Sequence, residues 1–199
     1  MLANSQTNLN GAQSYSTKEE ARKAGAANLA EGDRLTEMRA PESYRAAMEN
    51  FKRAAEAYHA AGDPQLEAVA LNSIGYNKNE LGETQEALEF FKQVPPLLKI
   101  SGDRSGEATA LSNIAGMYNA LGKQQQALEY CKQALPLYQA VEDRRGEAET
   151  LEHLASISRS LGDKSEAMKC FKRLLSLSQL LSGNEGKETA AKALNGIRV

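Results

Sequence analysis

The side chains that could carry acid–base or metal chemistry are few and scattered. His59 and His153 are the only histidines, and Cys131 and Cys170 the only cysteines. Zinc chemistry needs groups at set spacings, such as HExxH or CxxC, and a serine nucleophile needs a GxSxG turn. None of these is present, nor is a GxGxxG or P-loop that would cradle a nucleotide phosphate. Glu147, Glu149 and Glu152 cluster, but on a helix they read as solvated surface charge rather than a general acid and base pair. Both cysteines fall in apolar runs, where free Cys behaves as a small buried hydrophobe, and thiols without CxxC spacing suit a reducing compartment. The expectation is a protein that is not an enzyme, with no catalytic residues, no metal and no cofactor.

What positions the remaining polar groups is a repeat. Residues 107–148, EATALSNIAGMYNALGKQQQALEYCKQALPLYQAVEDRRGEA, align with the stretches 40 residues before and 40 residues after them. A fixed period of 20–50 residues marks stacked repeats. Gly82, Gly122 and Gly162 each follow a Leu and break a first helix from a second, while Gly62-Asp63, Gly102-Asp103 and Glu142-Asp143 separate successive units. Each unit therefore reads as helix, tight turn, helix. Pro95, Pro96 and Pro136 fall inside second helices, where a kink is expected rather than a break. Hairpins are expected at about 17–61, 62–101, 102–141 and 142–181, followed by a terminal helix at about 186–197. Residues 1–16, poor in apolar side chains, read as a flexible arm.

Charge bounds the partners. Lys and Arg total 24 against 26 Asp and Glu, a net charge of −2. Nucleic acids and anionic membranes call for clustered positive charge, so neither is expected as a partner. Residues 62–101 carry six acids and three bases, which makes the second hairpin mildly acidic. No signal-peptide pattern opens the chain and no run approaches 18 apolar residues, so a soluble, cytoplasmic protein is expected.

The slots within the period resemble the tetratricopeptide repeat. Leu71, Ile74 and Gly75, followed by Ala87, Phe91 and Val94, give the small residue at the close helix contact and the Ala and aromatic slots. Repeat three supplies Leu111, Ile114, Ala115, Tyr118, Ala127, Cys131 and Ala134. Repeat four supplies Leu151, Leu154, Ala155, Ser158, Ala167, Phe171 and Leu174. The first hairpin follows with Ala47, Phe51 and Ala54, and it takes Gly32 and Leu35 into register once three residues are inserted in its turn. The 40-residue period resembles the long-helix subclass of kinesin light chains and many bacterial arrays, including cyanobacterial-type arrays that often precede a caspase-like (CHAT) protease domain.

That resemblance implies an all-α, right-handed superhelix of about four hairpins plus a C-terminal helix, whose first helices line a concave groove. Carried over by position, the groove candidates are Asn72, Tyr76 and Asn79 in repeat two, Asn113 and Asn119 in repeat three, and His153 and Arg159 in repeat four. An Asn amide offers two donors and an acceptor, enough to hold an extended peptide backbone whatever its side chains. The expected function is a non-catalytic scaffold or adaptor that binds a peptide segment of a partner protein. The alternatives are a sensor portion of a larger protein such as a caspase-like protease, and a module that self-associates into a homo-oligomer through the C-terminal helix, where Leu194, Ile197 and Val199 carry the apolar face. A clamp for a partner's terminal carboxylate is not expected, because Arg159 is nearly alone as a cation in these positions.

Overall fold

The computed structural model describes residues 14–181 and 183–197. Most of the expected flexible arm, and Val199, lie outside the described residues. Among the described residues ten helices occur and no strand. They are α1 (Lys18–Glu37), α2 (Pro41–Ala61), α3 (Pro64–Glu80), α4 (Thr84–Phe91), α5 (Val94–Ser101), α6 (Arg104–Ala120), α7 (Gln124–Ala140), α8 (Arg144–Ser160), α9 (Lys164–Ser178) and α10 (Gly183–Ile197). The chain divides into two compact units, the first ending at Asp103 and the second beginning at Arg104. In the first, α1 packs on α2, α2 on α3, and α3 on both α4 and α5; in the second, each of α6 to α10 packs on its sequence neighbour.

Local chemistry sets the helix ends. The Thr17 hydroxyl accepts a hydrogen bond from the Glu20 N–H at 3.1 Å, and Asp63, Asp143 and Asp163 cap α3, α8 and α9 in the same way. Pro64 takes the first position of α3, where its missing N–H costs nothing. Gly82, Gly122 and Gly162 all adopt left-handed backbone between paired helices, with φ of 79°, 70° and 84°. A residue with a Cβ is strained there, so the Leu-Gly punctuation in the sequence is a geometric requirement.

The first two hairpins are each closed by a glycine on one helix meeting a phenylalanine on the other. Gly75 of α3 sits so close to the Phe91 ring that an added Cβ would lie 2.8 Å from it, and Gly32 of α1 meets Phe51 of α2 in the same way. Ala87, Ala127, Cys131 and Ala134 are wholly buried, as are Ile74, Ile114 and Leu174. Apolar burial on this scale, at roughly 25 cal/mol per Å², holds the helix pairs together. Gly196 of α10 packs against Phe171 of α9, so the terminal helix continues the stacking.

Two expectations need correction. The helix expected to kink at Pro95 and Pro96 is broken: α4 ends at Phe91 and α5 starts at Val94. Consecutive prolines deprive the carbonyls of Phe91 and Lys92 of their donors, and both rings press on those same carbonyls. Pro136, a single proline, leaves α7 continuous from Gln124 to Ala140. The terminal helix also begins at Gly183, three residues earlier than expected.

Candidate interaction surface

A helix of 3.6 residues per turn places residues three and four apart on one face. On α3, Asn72, Tyr76 and Asn79 follow that spacing, and Val69 extends the stripe. All four are exposed, Tyr76 by 50% and Val69 by 42%, while Ile74, Gly75 and Asn77 of the same helix are buried. On α6, Asn113 and Asn119 are exposed and Ile114, Ala115 and Tyr118 are buried. On α8, His153 and Arg159 are exposed beside the buried Leu154, Ala155, Ile157 and Ser158. The first three candidates belong to the first unit and the other four to the second.

The asparagines divide by chemistry. The side chains of Asn72, Asn113 and Asn119 have no hydrogen-bond partner among the described residues, so their amides face solvent. The Asn79 carbonyl oxygen accepts a hydrogen bond from the Thr84 hydroxyl at 3.3 Å across the turn into α4. Asn77 is a different case and was not picked out from the sequence. It is wholly buried, donates to the Ser73 carbonyl at 2.9 Å, and meets the Thr36 hydroxyl of α1 at 3.1 Å. It directly follows Tyr76, yet the turn of about 100° per residue takes the chain from solvent to the junction of α1 and α3. Composition carries no sign of that difference.

Around α8 the charges pair. Glu152 receives Lys192 of α10 at 2.8 Å, and Arg145 bonds Glu149 at 3.1 Å. A cleft of about 420 Å³ lies between α8 and α10, lined chiefly by Arg145, Glu149, Glu152, Glu188 and Lys192. An adjoining cleft of about 370 Å³ is lined by Ser156, Arg159, Phe171 and Asn195 and shares Glu152 and Lys192. Arg159 therefore lines a cleft and His153 lines neither. Glu147, expected as solvated surface charge, is instead buried and accepts hydrogen bonds from Arg173 at 2.8 Å and Gln139 at 3.0 Å. His59 bonds Glu67 at 3.0 Å on an exposed edge of the first unit. Cys131 and Cys170 are buried free thiols, each pushed up to about 11 by burial. Among the described residues no group of three His, Cys, Asp or Glu is placed to hold a metal ion. No helix among them is long and apolar enough to cross a membrane.

Residues 106–179, which span α6 to α9, match the tetratricopeptide repeat. This stretch is a tetratricopeptide-repeat array. The flanking helices share its fold. A crystal structure of a Podosopora anserina kinesin light chain with nearly identical TPR-like repeats is 13% identical over 86% of this chain and 87% of its own, with a TM-score of 0.64. BtubC (BKLC) from P. vanneervenii is 17% identical over 92% and 89%, with a TM-score of 0.55. The tetratricopeptide-repeat sensor of a STAND ATPase from Pyrococcus horikoshii gives 16% identity and a TM-score of 0.64 over 77% of this chain, which spans 24% of that protein. No curated protein matches the chain. Tetratricopeptide repeats are protein-interaction modules and their work is typically scaffolding rather than catalysis.

Proposed function

We propose that this chain is a non-catalytic adaptor that holds extended segments of a partner protein on exposed helix stripes, that of α3 in the first unit and those of α6 and α8 in the second. The observation that carries the reading is the sorting of neighbours on those helices. Packing consumes Ile74, Ile114 and Leu154, and leaves Asn72, Tyr76, Asn79, Asn113, Asn119, His153 and Arg159 in solvent. The amides of Asn72, Asn113 and Asn119, which lack an intramolecular partner among the described residues, can exchange water for a peptide backbone at little cost. Tyr76 supplies the kind of half-exposed aromatic anchor on which binding energy concentrates. Arg159, beside Phe171, offers a cation next to an apolar wall.

Affinity capture from lysate with the wild-type chain and with the Asn72→Ala/Asn119→Ala variant, compared by quantitative mass spectrometry, tests this. Proteins retained by the first and depleted at least fivefold with the second, at equal helicity, are the expected result. Identical lists for two equally folded baits would remove the asparagines from the function.

A second reading has the array sensing a ligand or partner for a larger protein. It draws support from the fold shared with the STAND protein, whose tetratricopeptide repeats are described as its sensor. The same capture separates the two, because a sensor's covalently attached effector is absent from the bound fraction.

A further inference from the structure

The charge of the first unit identifies the kind of segment its stripe would take. Residues 1–103 hold fifteen acids against eleven bases. Among the described residues seven of these acids face a Lys or Arg: Glu19 pairs with Lys23, Asp63 with Arg22, Glu31 with Arg34, Glu49 with Lys52, Glu89 with Lys92, and Lys78 is shared by Glu83 and Glu86. Asp33, Glu37 and Glu80 are exposed and have no ion pair among the described residues. Their helices are set in the same rotation, because Gly32 faces Phe51 in one hairpin and Gly75 faces Phe91 in the next. The residues one and five positions after each glycine therefore take equivalent sides: Asp33 and Glu37 on α1, Tyr76 and Glu80 on α3. The Thr36–Asn77 hydrogen bond at 3.1 Å ties the two helices together between these pairs.

Electrostatics within the cluster agrees with the geometry. The Asp33 carboxyl, exposed but partly desolvated by its neighbours, is held above its ordinary value by that desolvation and by the like charge of Glu37. The Tyr44 phenol at the start of α2 is raised by burial, with Glu80 and Tyr76 beside it adding to the effect and Arg39 opposing it. Arg39 is the cation at the edge of the cluster; Lys78, the nearest on α3, is held by Glu83 and Glu86. The like charges of Asp33 and Glu37, together with Glu80 beside Tyr44, put negative charge next to exposed Tyr76 and Val69.

We propose that Asp33 and Glu37 of α1, with Tyr76 and Glu80 of α3, form a docking surface for an extended, Lys- and Arg-bearing segment of a partner protein. This rests on the interaction reading above and adds the partner's chemistry to it. Tyr76 and Val69 take an apolar or aliphatic side-chain stem, and the carboxylates take the cationic heads, so attraction is strongest at low salt.

The test uses the full chain and a random dodecapeptide phage library panned at low salt, with selected peptides measured by fluorescence anisotropy. The expected peptides are enriched in Lys and Arg and weakened roughly tenfold or more by Asp33→Asn/Glu37→Gln/Glu80→Gln and by Tyr76→Ala. Circular dichroism confirms each fold, and the three exposed carboxamide substitutions carry the test if Tyr76→Ala loses helicity. Peptides that depend on Tyr76 without an excess of cations overturn the proposal and leave the interaction reading standing. Peptides indifferent to Tyr76→Ala, Asn72→Ala and Asn119→Ala alike, or no selection at all, overturn both.

Discussion

At Glu142 the backbone takes a φ of 56°, in the turn position that Gly62 and Gly102 fill elsewhere with φ of 68° and 80°. A side chain in left-handed backbone is strained by about 1–2 kcal/mol, partly offset by the extra entropy glycine carries when unfolded. Glu142→Gly is therefore expected to raise stability by about 0.5–1 kcal/mol, read as a higher urea midpoint at unchanged slope. Asn77→Ala acts in the opposite direction. It strips the Thr36 hydroxyl of its interhelical partner and leaves a void at a wholly buried position, for an expected loss of about 1–3 kcal/mol. The same substitution at exposed Asn72 should stay within about 0.5 kcal/mol. The thiols report on burial through pH. Cys131 and Cys170 are each raised from 9.0 to about 11 by burial, Cys131 further by Cys170 and Cys170 by Glu166. The folded chain keeps protons that the unfolded chain releases, so their contribution is complete below pH 9 and is lost as pH climbs towards 11. Urea midpoints should fall across that window, and the fall should shrink in a Cys131→Ala/Cys170→Ala variant. A disulfide-exchange reagent should stay unreacted near pH 8 until urea is added.

At the scale of elements, close approach and proline decide where helices stand and where they stop. Gly75→Val pushes two methyl groups into the Phe91 ring, and overpacking of this kind costs about 1–3 kcal/mol. A lower melting midpoint with little change of fold is expected, and an unchanged midpoint would mean that α3 and α4 slide freely. Pro136 interrupts α7 without breaking it, at the expense of one backbone hydrogen bond. Pro136→Ala, at an exposed position, should restore that bond and raise stability by up to about 3 kcal/mol. Pro95 differs because it is buried at the start of α5, where its fixed φ suits the first helical turn. The period predicted a kink at both sites. Neighbouring carbonyls deprived together, rather than one at a time, turned the first into a break.

At the scale of the molecule, stability in a repeat protein is a sum over units and their nearest neighbours, so damage stays local. Ile74→Ala and Ile114→Ala each remove a fully buried side chain worth about 2–5 kcal/mol. Hydrogen exchange should quicken mainly in the unit ending at Asp103 for the first and in that beginning at Arg104 for the second. The helical character of the chain, the hairpin rhythm and the buried slots were legible in the sequence, because a 40-residue period repeats Leu, small and aromatic residues where packing allows nothing else. Glycines at the turns were legible for the same reason: left-handed backbone excludes most side chains. Tertiary structure alone decided which polar residues are free. Tyr76 and Asn77 are adjacent and chemically unremarkable in the sequence, yet one faces solvent and the other joins α1 to α3. Asp33, Glu37 and Glu80 likewise read as ordinary helical surface charge until the rotation set by Gly32 and Gly75 turned them to equivalent sides. Periodicity follows from burial, which acts on every repeat alike. A particular surface depends on which neighbour each helix meets, and that information enters only when the chain folds.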